Sequence, residues 1–213
     1  MKKTITFLLF CFTSLVVFCQ PTYKAEEFQS AVMQKKNGAL VVFTGQYHSF
    51  TMDIIGDSIK PSNEPNFITV DNKILQLSNI PFPSKVDYEN LSDEIQKNNL
   101  LGYMNYEMKY IKEQLNLKSL NEKYEFITLN DKICMFWKYD MPKSYKTIDK
   151  QCYLITNCFD QILVLNSPVT KGEKSNSTSY DSIKDFLLTI GKTLKLNNHT
   201  IDLENLYKEI NKK

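Results

Sequence analysis

The stretch Tyr124–Asp140, YEFITLNDKICMFWKYD, decides the fold. Two runs rich in β-branched and aromatic residues, Tyr124–Leu129 and Ile133–Tyr139, flank Asn130-Asp131-Lys132. Asn and Asp tolerate the left-handed backbone of a tight turn, so the segment reads as an antiparallel hairpin. Downstream, Cys152–Asn157 and Ile162–Asn166 repeat the pattern around Asp160-Gln161. Upstream, Phe67–Val70 and Lys73–Leu77 flank Asp71-Asn72, a two-residue hairpin signal. Ala39–Thr44 reads as a buried strand, and Ser49–Ile55 as its antiparallel neighbour after the break at Gly45.

Helices surround these hairpins without alternating with them. Leu101, Met104, Met108, Ile111 and Leu115 recur at helical spacing behind the cap and acidic first turn of Ser92-Asp93-Glu94, which predicts a helix over about residues 92–116. Ile183, Phe186, Leu187, Ile190 and Leu194 predict a second amphipathic helix. A shorter one around Asp202–Ile210 follows, with Thr200 as its cap. Near the start, Ala25, Phe28 and Val32 fall on one face of a short helix capped by Thr22 and closed by Gly38. Lys171–Ser179 (KGEKSNSTS) is expected to be a mobile loop. Together these elements predict an α+β fold: an antiparallel sheet of hairpins, one long central helix and C-terminal helices.

The first nineteen residues read as a targeting signal. Lys2 and Lys3 precede Ile5–Phe18, an apolar run suited to a secretory signal and short for a membrane span. Val17 and Cys19 occupy the −3 and −1 positions of a cleavage site, so the mature chain starts at Gln20 and residues 20–213 form a single domain. The alternative makes Cys19 a lipid-modified first residue, against which stand the bulk of Phe18 and the lack of a Ser/Gly tether. Soluble export, periplasmic or secreted, is the favoured expectation. No later stretch is apolar for long enough to span a membrane by a helix.

Composition excludes some partners. All 26 basic residues are lysines, against 24 acidic ones, and the two in the signal leave the mature chain neutral. The lysines are scattered among acids and there is no arginine for bidentate phosphate or guanine contacts, so nucleic acid is not expected. No metal-binding, dinucleotide or P-loop spacing occurs, and no cofactor is expected.

The whole order of elements resembles the PsbP-like fold, seen also in DcrB-type envelope lipoproteins. The residues that carry the resemblance are YEFITLNDKICMFWKYD, CYLITNCFDQILVLNSPV, the polar loop and SIKDFLLTIGKTLKL, within about residues 67–196. It implies an exported accessory or binding protein, since that fold is mostly non-catalytic. The early helix near Phe28 and the helix after Thr200 depart from it.

Candidate chemistry is sparse. Gly56-Asp57-Ser58-Ile59 is similar to the G-D-S-x block of GDSL-type esterases, with Ser58 as nucleophile, and Thr128-Leu129-Asn130-Asp131 echoes their second block without its glycine. The D-x-x-H pattern of those enzymes is absent, since Leu196 stands three residues before His199. A turn at a strand end explains Gly56-Asp57-Ser58 more simply. His48, at a strand break, lacks a recognisable partner, and a lone histidine is more often structural than catalytic. Cys134, Cys152 and Cys158 permit a disulfide after export. Pairing Ile133–Tyr139 with Cys152–Cys158 about a loop centred near Lys146 sets Cys134 opposite Cys158, at the ~4.5–5.5 Å of cross-strand neighbours. A slip selects Cys152 instead, and three buried free thiols are the simpler alternative. Finally, Tyr103, Tyr106 and Tyr110 form a second stripe on the long helix, a contact face for a protein or glycan or else the edge of the core.

Overall fold

The structure, a computed structural model, describes residues 23–212 apart from positions 63, 65, 84, 86 and 172–176. The signal segment with Cys19 and Gln20, the expected cap Thr22 and most of the expected mobile loop lie outside the described residues. Four strands, β1 (Gln29–Lys35), β2 (Gly38–Thr44), β3 (Ser49–Ile54) and β11 (Lys195–Asn197), form a small antiparallel sheet in the order β1-β2-β3-β11. Seven form a large one. They are β4 (Ile59–Pro61), β5 (Phe67–Val70), β6 (Lys73–Pro81), β7 (Glu122–Leu129), β8 (Lys132–Asp140), β9 (Ile148–Cys158) and β10 (Gln161–Thr170). Their spatial order is β4-β5-β6-β10-β9-β8-β7, antiparallel throughout. The helices are α1 (Asp93–Gln114), α2 (Tyr180–Lys192) and α3 (Leu203–Asn211). The α+β class and antiparallel sheet are therefore as expected.

Residue alternation splits the core into two layers. Cys134 and Phe136 of β8, Leu154 of β9 and Leu163 of β10 point to the small sheet and α2. Met135, Trp137, Ile155 and Val164, one position along each strand, point to α1. A strand with period 2 buries both faces only when both are covered, which is why these strands read as continuous apolar runs. The hairpin turns fall at Asp71, Asn130-Asp131 and Phe159, all with positive φ. Ser92 caps α1 by accepting the Ile95 N–H, as its sequence anticipates. The buried stripe of α1 is Leu100, Met104 and Met108, with Leu101 and Ile111 at its margin, a small rotation from the expected Leu101-centred stripe.

The early helix is the main correction. Residues 23–28 have no helical structure, and Gln29–Lys35 is a strand paired to β2 through a two-residue turn. Tertiary hydrogen bonds take the backbone groups that a helix would use: Glu26 N–H donates to Asp160 and Gln161 donates to the Glu26 carbonyl. Phe28 packs on Phe50 with ring centroids 5.2 Å apart, so its helical spacing with Ala25 and Val32 is incidental. Gly38 opens β2 at φ 135°, where a Cβ would lie 2.0 Å from the Ile54 carbonyl oxygen, and is not a helix cap. The last helix is capped by Asp202, whereas Thr200 meets the Thr44 hydroxyl at 3.0 Å. β1, β4 and β11 carry little sequence signal, being short or exposed.

Candidate functional site

The most connected polar cluster gathers around His48. Gly45 N–H donates to the His48 carbonyl across Gln46-Tyr47, and this tight turn joins β2 to β3. The Glu26 carboxylate fills the turn: one oxygen accepts the N–H groups of Tyr47 and His48 at 2.6 and 3.1 Å, the other meets His48 Nδ1 at 2.6 Å. Gly45 leaves the room, since a Cβ there would lie 2.2 Å from the Glu26 oxygen. A carboxylate only accepts, so Nδ1 carries a hydrogen. Nε2 meets the Tyr88 hydroxyl at 3.2 Å. The imidazole lies over Phe159 with centroids 4.2 Å apart, and Tyr88 stands edge-on to the same ring at 5.7 Å.

Asp160 extends the cluster. One of its oxygens accepts from the Tyr23 hydroxyl at 2.9 Å and from Glu26 N–H at 2.8 Å, the other from Gln161 at 3.0 Å. Burial first, then the Asp160 contact, pushes the Tyr23 phenol up to about 12. Four segments distant in sequence thus converge: the strap at 23–28, the β2–β3 turn, Tyr88 and the β9–β10 turn. A groove of about 640 Å³ bordered by Lys85 and Tyr88 lies beside them. Chemically, the chain Glu26–His48–Tyr88 is a carboxylate–imidazole–phenol relay in which each ring nitrogen has a partner, and its evident effect is to hold the strap against both sheets. Sequence reasoning found His48 but neither Glu26 nor Tyr88, because no local pattern links residues 22 and 40 positions away.

Ser58 stands apart from both histidines. Its N–H and that of Asp57 donate to the same Asp71 carboxylate oxygen at 3.0 Å, and its carbonyl accepts from Asp71 N–H at 2.7 Å. Gly56-Asp57-Ser58 is therefore a turn clamped by the β5–β6 hairpin, just beyond the C-terminal end of β3. His48 precedes the other end of β3, and the exposed His199 lies there too, its carbonyl accepting from Ser49 at 2.7 Å. At ~3.3 Å per residue, six residues of β3 separate the serine from both histidines by about 20 Å. The triad suggested by the G-D-S-x block does not assemble.

The cysteine register also differs from expectation. β8 pairs with β9 so that Cys134 faces Thr156 and Cys152 faces Lys138, one residue off the anticipated centre at Lys146. All three cysteines are buried free thiols. Burial pushes Cys134 up to about 11 and Cys152 up to about 12, and raises Cys158 further, with Cys134 a smaller contributor. Such thiols are poor nucleophiles.

The tyrosine stripe of α1 divides. Tyr103 stacks on Trp137 at 5.9 Å and belongs to the core, whereas Tyr106 and Tyr110 are 70% and 53% exposed. Between them in sequence, burial raises the Glu107 carboxyl above the usual carboxylate range; burial likewise raises the phenols of Tyr103, Tyr139 and Tyr153, with the Glu107 charge a smaller contributor. On the opposite face of the large sheet, a cleft of about 340 Å³ opens between β1–β2 and β4–β6, with Val32, Phe43, Ile68 and Leu77 in its walls. Among the described residues no cluster of three His, Cys, Asp or Glu side chains is placed to hold a metal ion, and no helix is long and apolar enough to cross a membrane.

Fold and site together define a two-sheet α+β protein whose histidine cluster ties its strap in place and whose open surfaces are an aromatic helix face and an apolar cleft. No family model and no curated protein matches the chain. Among solved structures, the solution structure of cyanobacterial PsbP (CyanoP) from Synechocystis sp. superimposes with a TM-score of 0.40 and 11% identity, covering 84% of this chain and 97% of that one.

Proposed function

We propose that the protein is an exported, non-catalytic binding or accessory protein of the bacterial cell envelope, with Tyr106 and Tyr110 as its contact face for a protein or glycan. The observation that carries this reading is the pair of exposed tyrosines one helical turn apart on α1. They stand on a 22-residue helix anchored by Leu100, Met104 and Met108, so their positions are fixed before any ligand arrives. Tyrosine offers a large apolar ring with a polar tip and little entropy to lose, which suits both sugar faces and protein surfaces. Export is supported by the charged start and apolar run that precede Gln20.

The test replaces both tyrosines by serine and compares binding to purified peptidoglycan sacculi and to envelope proteins cross-linked from a photoreactive group at Tyr106. Retention of the wild-type capture in Tyr106→Ser/Tyr110→Ser would remove this face from the function. Mass analysis of the native protein supports soluble export if the chain starts at Gln20, and a lipid anchor if Cys19 is acylated. Labelling of Ser58 by a fluorophosphonate, with ester turnover, would overturn the non-catalytic reading.

A further inference from the structure

Each sheet has two edges, and three of the four carry features that discourage further pairing. β4 and β11 are three residues long, β4 contains Pro61, and β7 carries Glu122, Lys123 and Glu125. Short length, proline and charge all blunt an edge. β1 differs: it has seven residues in unbroken register with β2, no proline, and a single charge at its last position, Lys35.

The free backbone groups of that edge can be assigned. The bond from Gly45 N–H to the His48 carbonyl makes residues 45 and 48 a hydrogen-bonded pair. Alternation then makes Phe43–Phe50 and Val41–Met52 the bonded pairs between β2 and β3, and leaves Leu40, Val42 and Thr44 to bond β1. Their partners are Met33, Ala31 and Gln29. The N–H and C=O groups of Ser30, Val32 and Gln34 therefore point away from the sheet, and no described strand pairs with them. The side chains of the same three residues line the 340 Å³ cleft, across from Ile68 and with Glu64 at its rim. Val32 is 45% exposed there, whereas Met33, on the other face of β1, is buried. Among the described residues of the lining Glu64 is the one that carries a charge, and none of them is a cation that would repel a positive ligand.

We infer that the free edge of β1 and the cleft beneath it form a docking site for an extended segment of a partner protein, added as a strand beside β1. Main-chain bonds to Ser30, Val32 and Gln34 supply affinity. Alternate side chains of the segment enter the cleft and are apolar, and a lysine or arginine complements Glu64. The site lies on the opposite face of the large sheet from Tyr106 and Tyr110 and does not depend on them.

The test measures fluorescence anisotropy of labelled acetyl-Thr-Val-Thr-Val-Thr-Lys-Thr-amide, whose valines and lysine share one face, against the full mature chain, beside a version with Glu in place of Lys. Val32→Pro removes an outward N–H and no ladder bond, and Val32→Lys keeps that N–H while placing a charge in the cleft. Circular dichroism identifies which variants remain folded. The expected result is binding weakened about tenfold by each folded variant, and a preference for the Lys peptide that Glu64→Gln abolishes. Absence of binding at about 1 mM peptide, or binding unchanged by both variants, would overturn the proposal. A wild-type dimer in sedimentation that Val32→Lys dissociates would overturn it too, by assigning the edge to a second copy of the chain.

Discussion

Replacing Glu26 by alanine should unlock the strap, and the cost can be worked from the contacts. The carboxylate accepts three N–H groups, from Tyr47, from His48 and from the His48 ring. Tyr47 is exposed, so its N–H regains water when the carboxylate is removed. The two donors of His48 are part-buried, and an unmet donor costs about 1–3 kcal/mol. A loss of about 3 kcal/mol follows, equivalent to about 6–12 °C in Tm for a chain of this size. Glu26→Gln separates geometry from charge. Its amide oxygen can still accept the two backbone N–H groups, and its NH₂ can donate to Nδ1 if the ring proton moves to Nε2 and points at Tyr88. That variant should lose only about 1 kcal/mol. Urea unfolding followed by far-UV circular dichroism gives the free energies, and ¹⁵N shifts of the His48 ring report the tautomer. A loss below about 0.5 kcal/mol for Glu26→Ala, or equal losses for Ala and Gln with no tautomer change, would refute the reasoning.

Glu107 provides a pH test. Burial raises its folded pKa above the unfolded value, so its ionisation opposes folding; this contribution is most favourable below the unfolded pKa and declines as pH rises through the folded one. Glu107→Gln should therefore be more stable than wild type at neutral pH, by no more than about 1 kcal/mol given solvent screening, and the difference should vanish near pH 4 in a urea series. Two glycines should respond in opposite directions. Gly38→Ala meets both φ 135° and the Ile54 carbonyl and should cost about 3 kcal/mol, whereas Gly102→Ala has open space in the middle of α1 and should gain about 0.5–1 kcal/mol. With their pKa values raised by burial, Cys134, Cys152 and Cys158 should resist Ellman's reagent in the native protein at pH 8 and react together in guanidinium.

The sequence made legible those elements whose signals are local. Asp71-Asn72 and Asn130-Asp131 announce their hairpins because a turn selects residues by backbone conformation, and Ser92 announces α1 because a cap acts within one turn. A helical spacing at Ala25, Phe28 and Val32 misleads because the strap takes its hydrogen bonds from Asp160 and Gln161, 134 and 135 positions away, and β1 pairs with β2, and no local spacing records either. The register of β8 on β9 differs from the expected one by two residues, because the loop between Asp140 and Ile148 sets it and carries no symmetric turn signal. For the candidate surfaces, Tyr106 and Tyr110 were visible as a stripe, but their separation from Tyr103 depends on Trp137 lying beneath only the first. The β1 edge leaves no mark in the sequence, since the helical spacing of Ala25, Phe28 and Val32 conceals the strand.

The reliance of the strap on Asp160 has a consequence for biosynthesis. A chain emerging from the ribosome N-terminus first presents Tyr23 and Glu26 long before the residue that holds them, across separations of 137 and 134 positions. At ~5–20 residues per second, roughly 7 to 27 s pass before Asp160 can add its bonds to those that Tyr47 and His48 make with Glu26. Throughout that interval the Tyr23 hydroxyl lacks the acceptor that it meets in the finished fold.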